Sequence, residues 1–302
     1  MALRDSATGQ VIRSYSLDEL RDAANLMRGY DLVALCAAGS GHSGSTLSIM
    51  DIAAALYLYV ADHDPKNPLW ADRDRIVWSA GHKAPALYVS LGFAGFFPLD
   101  EVVTLRKLYS PFQGHPHWLR LPGVEVSSGS LGQGLSVAVG MALAARIDHT
   151  RHEGKDHKVF CLMGDGEQQE GQVWEAAMEA GHYHLDNMIA VIDCNRLQID
   201  GCVKDVMQVE PLGEKYAAFG WEVLEADGHE MGELVRAFAK ARMTVGKPTV
   251  ILADTVKGKG VSFMENQAGW HGKAPNREEL DTALSDLGLS DRIPVEQLLE
   301  KA

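Results

Sequence analysis

Apolar residues recur with two spacings along the chain, and the alternation between them predicts an α/β fold. After the cap signature SLDE, which begins at Ser16, apolar residues recur at helical spacing and predict a first helix that runs to about Ala38. A second amphipathic helix is expected after the turn GSGHSG, and further helices at 131–148, 171–183, 211–219 and 231–243. Five short apolar runs predict strands: Arg75–Ser79, Lys158–Met163, Met188–Asp193, Trp221–Ala226 and Pro248–Thr255. We therefore expect a mostly parallel sheet with helices on both faces.

The part of the chain after the last predicted strand has no clear periodicity. The segment Lys257–Asn276 is too long for an ordinary connection, and loops of that length are usually functional or disordered. The polar stretch HTRHEGKDH, at 149–157, is expected to be a solvated loop. Two short helical stretches follow at the end, without a change in composition, so we expect one domain over residues 1–302.

Composition narrows the class of protein. The 302 residues carry a formal charge of −13, which disfavours nucleic acid or an anionic membrane as the main partner. The four cysteines form no CxxC pair and are expected to be reduced thiols. The N-terminus lacks a signal-type core, and the longest apolar run, Ile52–Ala61, is too short to span a bilayer. These features predict a soluble, cytoplasmic protein.

Two glycine turns resemble phosphate-binding loops. GSGHSG, from Gly39 to Gly44, has the spelling of a dinucleotide fingerprint, but a helical pattern precedes it where the fingerprint requires a strand. GSLGQG, from Gly129 to Gly134, precedes a helix rich in small residues, which indicates a tight turn and close packing. That second turn could also approach a ligand.

A third turn, in LMGDGEQQEG, suggests a metal site. Asp165 follows one predicted strand and Asn195 follows the next, so both should lie at the carboxyl edge of the sheet, where ligands bind in this architecture. A carboxylate and an amide oxygen suit Mg²⁺, which would bridge to a diphosphate held at the helix start near Gly166–Gln172. The alternative is that Asp165 is an N-cap and Asn195 a turn residue.

Several histidines lie beside glycines in predicted loops: His42, His82, His115 and His271. Such side chains could donate hydrogen bonds to phosphate or sugar oxygens, or transfer protons near neutral pH. A zinc site is the competing interpretation, because the pairs His115/His117 and His182/His184 have ligand-like spacing. No thiolate or carboxylate stands at a recognisable distance from either pair, which disfavours zinc.

Together these segments resemble the thiamine-diphosphate-binding half of transketolases. The resemblance rests on SGHSG, NPLWADRDRIVWSAGHKAPALY, QGHP, GSLGQGLSVAVGMALA, MGDGEQQEG with the later DCN, and GWHGKAP, in one order over nearly the whole chain. Ser43, Ser45 and Lys83 differ from the residues usual in that family, and Arg196 replaces a second asparagine.

The resemblance implies roles for particular residues. Mg²⁺, or Ca²⁺ or Mn²⁺ in its place, would be bound by Asp165, Asn195 and the carbonyl oxygen of Leu197. The cofactor thiamine diphosphate would be contacted by His82, Gly129, Ser130, Leu131, Gly166, Asn195 and His271. The catalytic group would comprise His42, His82, His115 and His271, which line the substrate channel, and Glu170 at the interface between subunits.

The resemblance also implies a partner, since transketolases of the common kind continue into a pyrimidine-binding domain and a C-terminal domain beyond the region that this chain matches. We expect the N-terminal subunit of a split transketolase, in a heterotetramer with a separate chain that carries the activating glutamate. It would move a two-carbon ketol unit from a ketose, such as a sugar phosphate or related acidic ketose, to an aldose. The alternatives are the α subunit of a 2-oxo acid dehydrogenase-like complex, a non-catalytic cofactor-binding subunit, and a nicotinamide oxidoreductase.

Overall fold

The computed structural model describes residues 3–152 and 157–302, and a parallel sheet between two helical layers dominates it. The α-helices are α1 (Leu17–Ala38), α2 (Ser43–Ala55), α3 (Ala84–Ala94), α4 (Gln133–His152), α5 (Gly171–His182), α6 (Val203–Val206), α7 (Leu212–Ala218), α8 (Met231–Met243), α9 (Arg277–Asp286) and α10 (Val295–Lys301). The strands are β1 (Leu3–Arg4), β2 (Val11–Arg13), β3 (Arg75–Trp78), β4 (Val159–Gly164), β5 (Met188–Cys194), β6 (Leu197–Gln198), β7 (Gly201–Cys202), β8 (Glu222–Asp227) and β9 (Thr249–Asp254).

The main sheet has five parallel strands in the order β3-β4-β5-β9-β8. These are the five strands predicted from the sequence, and the parallel α/β fold is confirmed. The central strands are continuous apolar runs because helices cover both faces of the sheet. Two small antiparallel pairs, β1-β2 and β6-β7, were not predicted, since pairs of two or three residues leave no periodicity to detect.

Successive side chains of the strands point into two separate cores. Phe160 and Leu162 of β4 pack in a core shared with α1, α2, α3 and α8. Cys161 and Met163 of the same strand pack on the opposite face, against α4 and α5. The sheet therefore holds its strand ends rigidly between two packed layers.

Helix α1 begins and ends as the sequence predicts. Ser16 accepts a hydrogen bond from the Glu19 backbone while the Glu19 carboxylate accepts from the Ser16 backbone, which is a capping box. Gly39 ends the helix with a φ of 62°, a left-handed conformation that glycine adopts without strain. GSGHSG therefore follows a helix, and the condition for a dinucleotide fingerprint fails.

The prediction that the second helix is amphipathic was wrong. Every residue of α2 is buried, and a π-helical turn, Leu56–Val60, extends it. Serine and threonine replace apolar residues on part of its surface, yet those hydroxyls bond to nearby groups within the core. The stretch Ser43–Val60 is long and apolar enough to cross a membrane, but 94% of it is buried inside the fold, as in the core helix of a globular protein.

The remaining segments agree with the sequence patterns in most respects. Helix α3 was not predicted, because it is buried on nearly every side and so lacks an amphipathic period. The segment 257–276 is irregular apart from a short 3₁₀ turn, Ala268–Trp270. Of the predicted loop HTRHEGKDH, residues 149–152 lie in α4 instead, and residues 153–156 lie outside the described residues. All four cysteines are free thiols.

Candidate functional site

The carboxyl ends of β4 and β5 form the edge at which the predicted metal ligands lie. Gly164 pairs with Asp193 at the last position of the β4-β5 ladder, so the residues that follow leave the sheet side by side. Asp165 then accepts a hydrogen bond from the backbone N–H of Arg196, the residue after Asn195. The two strand ends are therefore in direct contact, as the sequence analysis expected.

The carboxylate of Asp165 is buried, and no lysine or arginine within residues 3–152 and 157–302 bonds to it. It accepts two backbone hydrogen bonds, from Arg196 and, at 2.7 Å, from Gly166. Burial and the neighbouring charge of Asp193 raise the pKa of Asp165 to about 6. A carboxylate held in this state gains from a cation placed beside it.

Asn195 and Leu197 present oxygens at the same edge. The Asn195 side-chain amide donates to Asp193 at 3.1 Å, which fixes its nitrogen toward the carboxylate, and its Oδ1 accepts from the Leu197 N–H at 3.2 Å. The Leu197 carbonyl accepts a hydrogen bond from Lys257 Nζ at 3.1 Å. An ammonium group thus lies against one of the oxygens to which the resemblance assigns a metal.

Lys257 is a site residue that the sequence analysis did not identify. Its side chain is almost fully buried, and burial together with the charge of Lys83 lowers its pKa to about 8. Its Nζ also lies 2.9 Å from His271 Nδ1, so the imidazole accepts at Nδ1 and carries its proton on Nε2. In the sequence, Lys257 is marked only by its place in VKGKG, at the start of the long irregular segment.

A second buried lysine supports the strand ends. Lys83 bonds to the Asp193 carboxylate at 2.5 Å, with both side chains at 1% exposure or less. Asp193 also accepts from Ser48 at 2.6 Å and from Thr255. The residue that departs from the family pattern after His82 is therefore an ion-pair partner, and the sequence spacing could not show that pairing.

Three of the predicted histidines form a compact cluster. The ring centroids of His42, His82 and His271 lie 5.2 Å, 5.3 Å and 5.6 Å apart in pairs. Burial first, and then neighbouring cations, lower the pKa of His42 to about 4 and that of His271 to about 3. Burial also holds the pKa of His82 well below its usual value. All three imidazoles are neutral at pH 7 and can donate or accept a proton.

His115 lies at the edge of this cluster beside Arg106. Burial first, and then the charge of Arg106, lowers the pKa of both His42 and His115. The guanidinium donates to Ser40 Oγ at 3.0 Å, while its Nε is buried without a partner among the described residues. Arg106, which the sequence analysis did not single out, is therefore a cation facing the predicted channel.

The turn GSLGQG packs between the histidine cluster and the carboxyl ends of β4 and β5, where the predicted metal ligands lie. We call these strand ends, with Asp165, Asn195 and Leu197, the metal edge. A Cβ on Gly81, next to His82, would lie 2.7 Å from the Gly129 nitrogen, so only glycine permits this approach. Glu167 is buried and accepts from the N–H groups of Gly132 at 2.9 Å and Gly164 at 3.1 Å. Gly129 and Ser130 line a cavity of about 270 Å³, and Leu131 lies half-buried between them and Gly132.

Two further predicted residues lie nearby. The Gly166 N–H donates to the side chain of Asp165 and begins a short 3₁₀ turn, Gly166–Gln169, ahead of α5. Glu170 is exposed at the start of α5, and a Cβ on Gly132 would lie 2.7 Å from its Cβ. Glu170 is thus beside the glycine turn, on the outer surface, and outside the histidine cluster.

The donor set at the strand ends fits a hard divalent cation. Asp165 and the oxygens of Asn195 and Leu197 are the ligand types that Mg²⁺ prefers, and an ammonium already lies against one of them. Residues 3–152 and 157–302 contain no group of three or more His, Cys, Asp or Glu side chains arranged to hold a metal ion. The zinc interpretation of His115/His117 and His182/His184 therefore gains no support.

Comparison with known proteins identifies the family. Residues 20–298 match the transketolase, thiamine diphosphate binding domain family. The chain is 42% identical over 269 residues to the 6-deoxy-6-sulfo-D-fructose transketolase subunit of Clostridium sp. (strain MSTE9), with 89% of this chain and 96% of that protein covered. It is 43% identical to an apulose-4-phosphate transketolase subunit of Phocaeicola vulgatus, with 91% and 94% covered.

Solved structures show the same relationship. The transketolase of Campylobacter jejuni superposes with a TM-score of 0.86 at 34% identity, covering 96% of this chain and 46% of that one. For the Leishmania mexicana transketolase the TM-score is 0.86 at 31% identity, and the match covers 44% of that chain. This chain thus spans less than half the length of those transketolases. The chain belongs to the transketolase family and corresponds to the thiamine diphosphate binding domain of those longer enzymes.

Proposed function

We propose that this chain is the diphosphate-binding subunit of a two-chain transketolase, which transfers a two-carbon ketol unit from a ketose to an aldose. The observation that carries the proposal is one unbroken set of contacts between the metal edge and the histidine cluster. Lys257 lies 3.1 Å from the Leu197 carbonyl and 2.9 Å from His271, whose ring is 5.3 Å from that of His82. Cation, diphosphate and substrate groups would therefore meet in one place.

Within this proposal, Asp165, Asn195 and the Leu197 carbonyl hold Mg²⁺, or Ca²⁺ or Mn²⁺. Lys257, Gly166 and His271 would contact the diphosphate, and His82 with the Gly129–Leu131 turn would contact the rest of the cofactor. When bound, thiamine diphosphate supplies a nucleophilic carbon for breaking the bond beside a ketose carbonyl. The chain's own residues bind and orient the cofactor and the substrate, and they exclude water from both.

The neutral histidines would handle the substrate's hydroxyl protons. A neutral imidazole can accept a proton from a hydroxyl or donate one to a carbonyl oxygen, whereas an imidazolium can only donate. The low pKa of His42 and of His271 keeps this capacity at neutral pH. His42 Nδ1 is buried without a partner among the described residues, as expected of a group that waits for a substrate oxygen.

Assembly with a second chain is part of the proposal. The relatives that this chain covers almost completely are named as subunits, whereas it covers 40% of the rat transketolase at 41% identity. We infer that residues 1–302 act as one domain and that a separate chain supplies the pyrimidine-binding domain and the activating glutamate, in a cytoplasmic heterotetramer. Exposed Glu170 would lie at the interface between subunits.

The donor ketose is proposed to carry an acidic group. The two bacterial relatives are named for substrates with a sulfo or a phosphate group. Arg106 adds a cation to the channel side of this chain, and its guanidinium has a buried Nε without a partner among the described residues. A sugar phosphate or a related acidic ketose matches that charge.

The test combines this chain with its partner subunit, thiamine diphosphate and Mg²⁺, and follows two-carbon transfer by mass spectrometry. We expect transfer with both chains present and none with either alone. His42→Gln and His271→Gln should each lower kcat/KM by about 10²–10⁴-fold, the usual contribution of a general acid or base. His182→Asn, at an exposed histidine, is the control. Decarboxylation of a 2-oxo acid without ketol transfer would overturn the proposal.

A further inference from the structure

His229 is a largely but not fully buried histidine outside the proposed catalytic cluster, in the turn between β8 and α8. Its Nδ1 lies 2.8 Å from Asp51 Oδ2 on α2, and its Nε2 lies 2.8 Å from the backbone nitrogen of Val256. The exposed fractions of the His229 and Asp51 side chains are 12% and 9%. The imidazole thus connects a core helix to the segment that leaves β9. We call this Asp51–His229–Val256 connection the His229 bridge.

The partners of His229 determine its tautomer. A backbone N–H can only donate, so Nε2 must be unprotonated to accept from Val256. The ring proton is then on Nδ1 and is donated to the Asp51 carboxylate. Asp51 also bonds to the buried guanidinium of Arg28, which in turn donates to the Leu47 carbonyl at 3.1 Å. Both ring nitrogens are therefore used, each in one defined role.

The far end of the bridge lies next to the site. Val256 directly precedes Lys257, whose Nζ contacts the Leu197 carbonyl and His271 Nδ1. On the other side of Lys257, the Gly258 N–H donates to the Gly44 carbonyl at 2.8 Å. Lys257 is therefore held at both neighbouring backbone positions, once through the imidazole of His229 and once through α2.

We propose that His229 is a positioning residue for Lys257: by accepting the Val256 N–H, it fixes the segment that aims the lysine at the metal and diphosphate edge. The hydrogen bonds of the His229 ring run to Asp51 and Val256, and we assign neither residue to metal, cofactor or substrate. Asp51 orients the imidazole, and Arg28 orients Asp51. The inference rests on the proposed function for the metal and diphosphate role of that edge and for the choice of thiamine diphosphate as the probe.

A matched pair of variants separates the two halves of the bridge. In His229→Gln, the side-chain oxygen can reach the Nε2 position and accept from Val256, but the contact with Asp51 is lost. In His229→Asn, the shorter amide can donate to Asp51 as Nδ1 does, but Val256 loses its acceptor. A role confined to packing predicts similar effects from both variants. His182→Asn, at an exposed histidine, serves as the control.

The first measurement needs no cofactor. Amide hydrogen exchange at Val256 should be slow in the wild type and in His229→Gln, and at least tenfold faster in His229→Asn at an equal urea midpoint of unfolding. Acylation of Lys257, followed by mass spectrometry, should also be faster in His229→Asn alone. If the asparagine variant exchanges and labels at Val256 and Lys257 as the wild type does, the proposal is wrong.

The second measurement is calorimetric binding of thiamine diphosphate with Mg²⁺ to the assembled enzyme. We expect about tenfold weaker binding in His229→Asn, a loss of about 1.4 kcal/mol, and near wild-type binding in His229→Gln. Equal weakening in both variants would overturn the positioning role. Failure of the wild type to bind would contradict the proposed function instead, while exchange and labelling would still decide the role of His229.

Discussion

Asp165 and Asp193 lie on neighbouring strand ends, and their surroundings differ sharply. The carboxylate of Asp193 bonds to Lys83, Ser48, Thr255 and Asn195, all within the fold. That of Asp165 accepts two backbone N–H groups and has no lysine or arginine bonded to it among the described residues. These two aspartates lie at the same edge of the sheet, but neighbouring groups offset the negative charge of Asp193 far more than that of Asp165.

The pKa values reflect this difference. Burial would raise the pKa of Asp193, but Lys83 and the hydroxyl donors lower it below its usual value. Burial and the charge of Asp193 raise the pKa of Asp165 to about 6. A fully paired buried acid is what a structural role requires, whereas an under-compensated one indicates a place for an external cation. The contrast supports Asp165, rather than Asp193, as the metal ligand.

The largest effect is expected from Asp193→Asn. The substitution leaves the Lys83 ammonium buried without its counter-charge, which typically costs about 3–5 kcal/mol of unfolding free energy. Urea unfolding followed by circular dichroism measures the loss. If Asp193→Asn were no less stable than Asp165→Asn without metal, the structural assignment of Asp193 would be wrong.

The next effect concerns ligand binding. Asp165→Asn should remove the stabilisation by Mg²⁺ with thiamine diphosphate, which is about 2.7 kcal/mol for the wild type at a ligand concentration of 100 times Kd. Because the pKa of Asp165 is raised, its ionised form costs stability as pH rises through about 6. The metal-free variant should therefore be at least as stable as the wild type at pH 8. Thermal unfolding with and without ligands tests both points.

Glu179→Gln, at an exposed acid on α5, is the control for that experiment and should keep the full ligand-induced stabilisation. Retention of the stabilisation in Asp165→Asn would contradict the proposed metal site.

A smaller effect is expected from the histidine cluster. The pKa values of His42 and His271 are lowered to about 4 and about 3, so the unfolded chain binds protons more readily below pH 6.5. Their contribution to stability is fully present above pH 6.5 and is lost as pH falls toward 4. Replacing both histidines by asparagine should reduce this pH-dependent loss of unfolding free energy by about 1 kcal/mol per residue. This figure is smaller than the pKa shifts alone would give, because both side chains are partly exposed to solvent. Urea midpoints between pH 7 and pH 4 provide the measurement, and an unchanged slope would count against neutral histidines.

The smallest effect is expected from Arg106→Gln, which removes a cation whose guanidinium bonds to Ser40 but to no carboxylate among the described residues. The pKa values of His42 and His115 should rise, since the arginine lowers both. Nitrogen-15 NMR titration of the histidine side chains would detect the change, with exposed Arg120→Gln as the control. If neither pKa changes, Arg106 is too far from the two histidines to bind the acidic group of a substrate beside them.

Much of the fold was predictable because its signals are local. The five strands are apolar runs separated by helical periods, and the capping box at Ser16 determines where α1 begins. The pairing of Asp165 with the Asn195 segment was also predictable, because successive parallel strands end at one edge. Helix α3 was missed and α2 was taken to be amphipathic, since a helix buried on all sides carries no period.

The sequence by itself determined the alternation of strands and helices, the glycine turns and the residue types at the strand ends. Only the tertiary structure decided which charges pair. Lys83 reaches Asp193, and Lys257 reaches the Leu197 carbonyl and His271, across long stretches of chain. Local sequence patterns report periodicity and turn chemistry, whereas the protonation and orientation of a buried group depend on neighbours that folding brings together from distant segments.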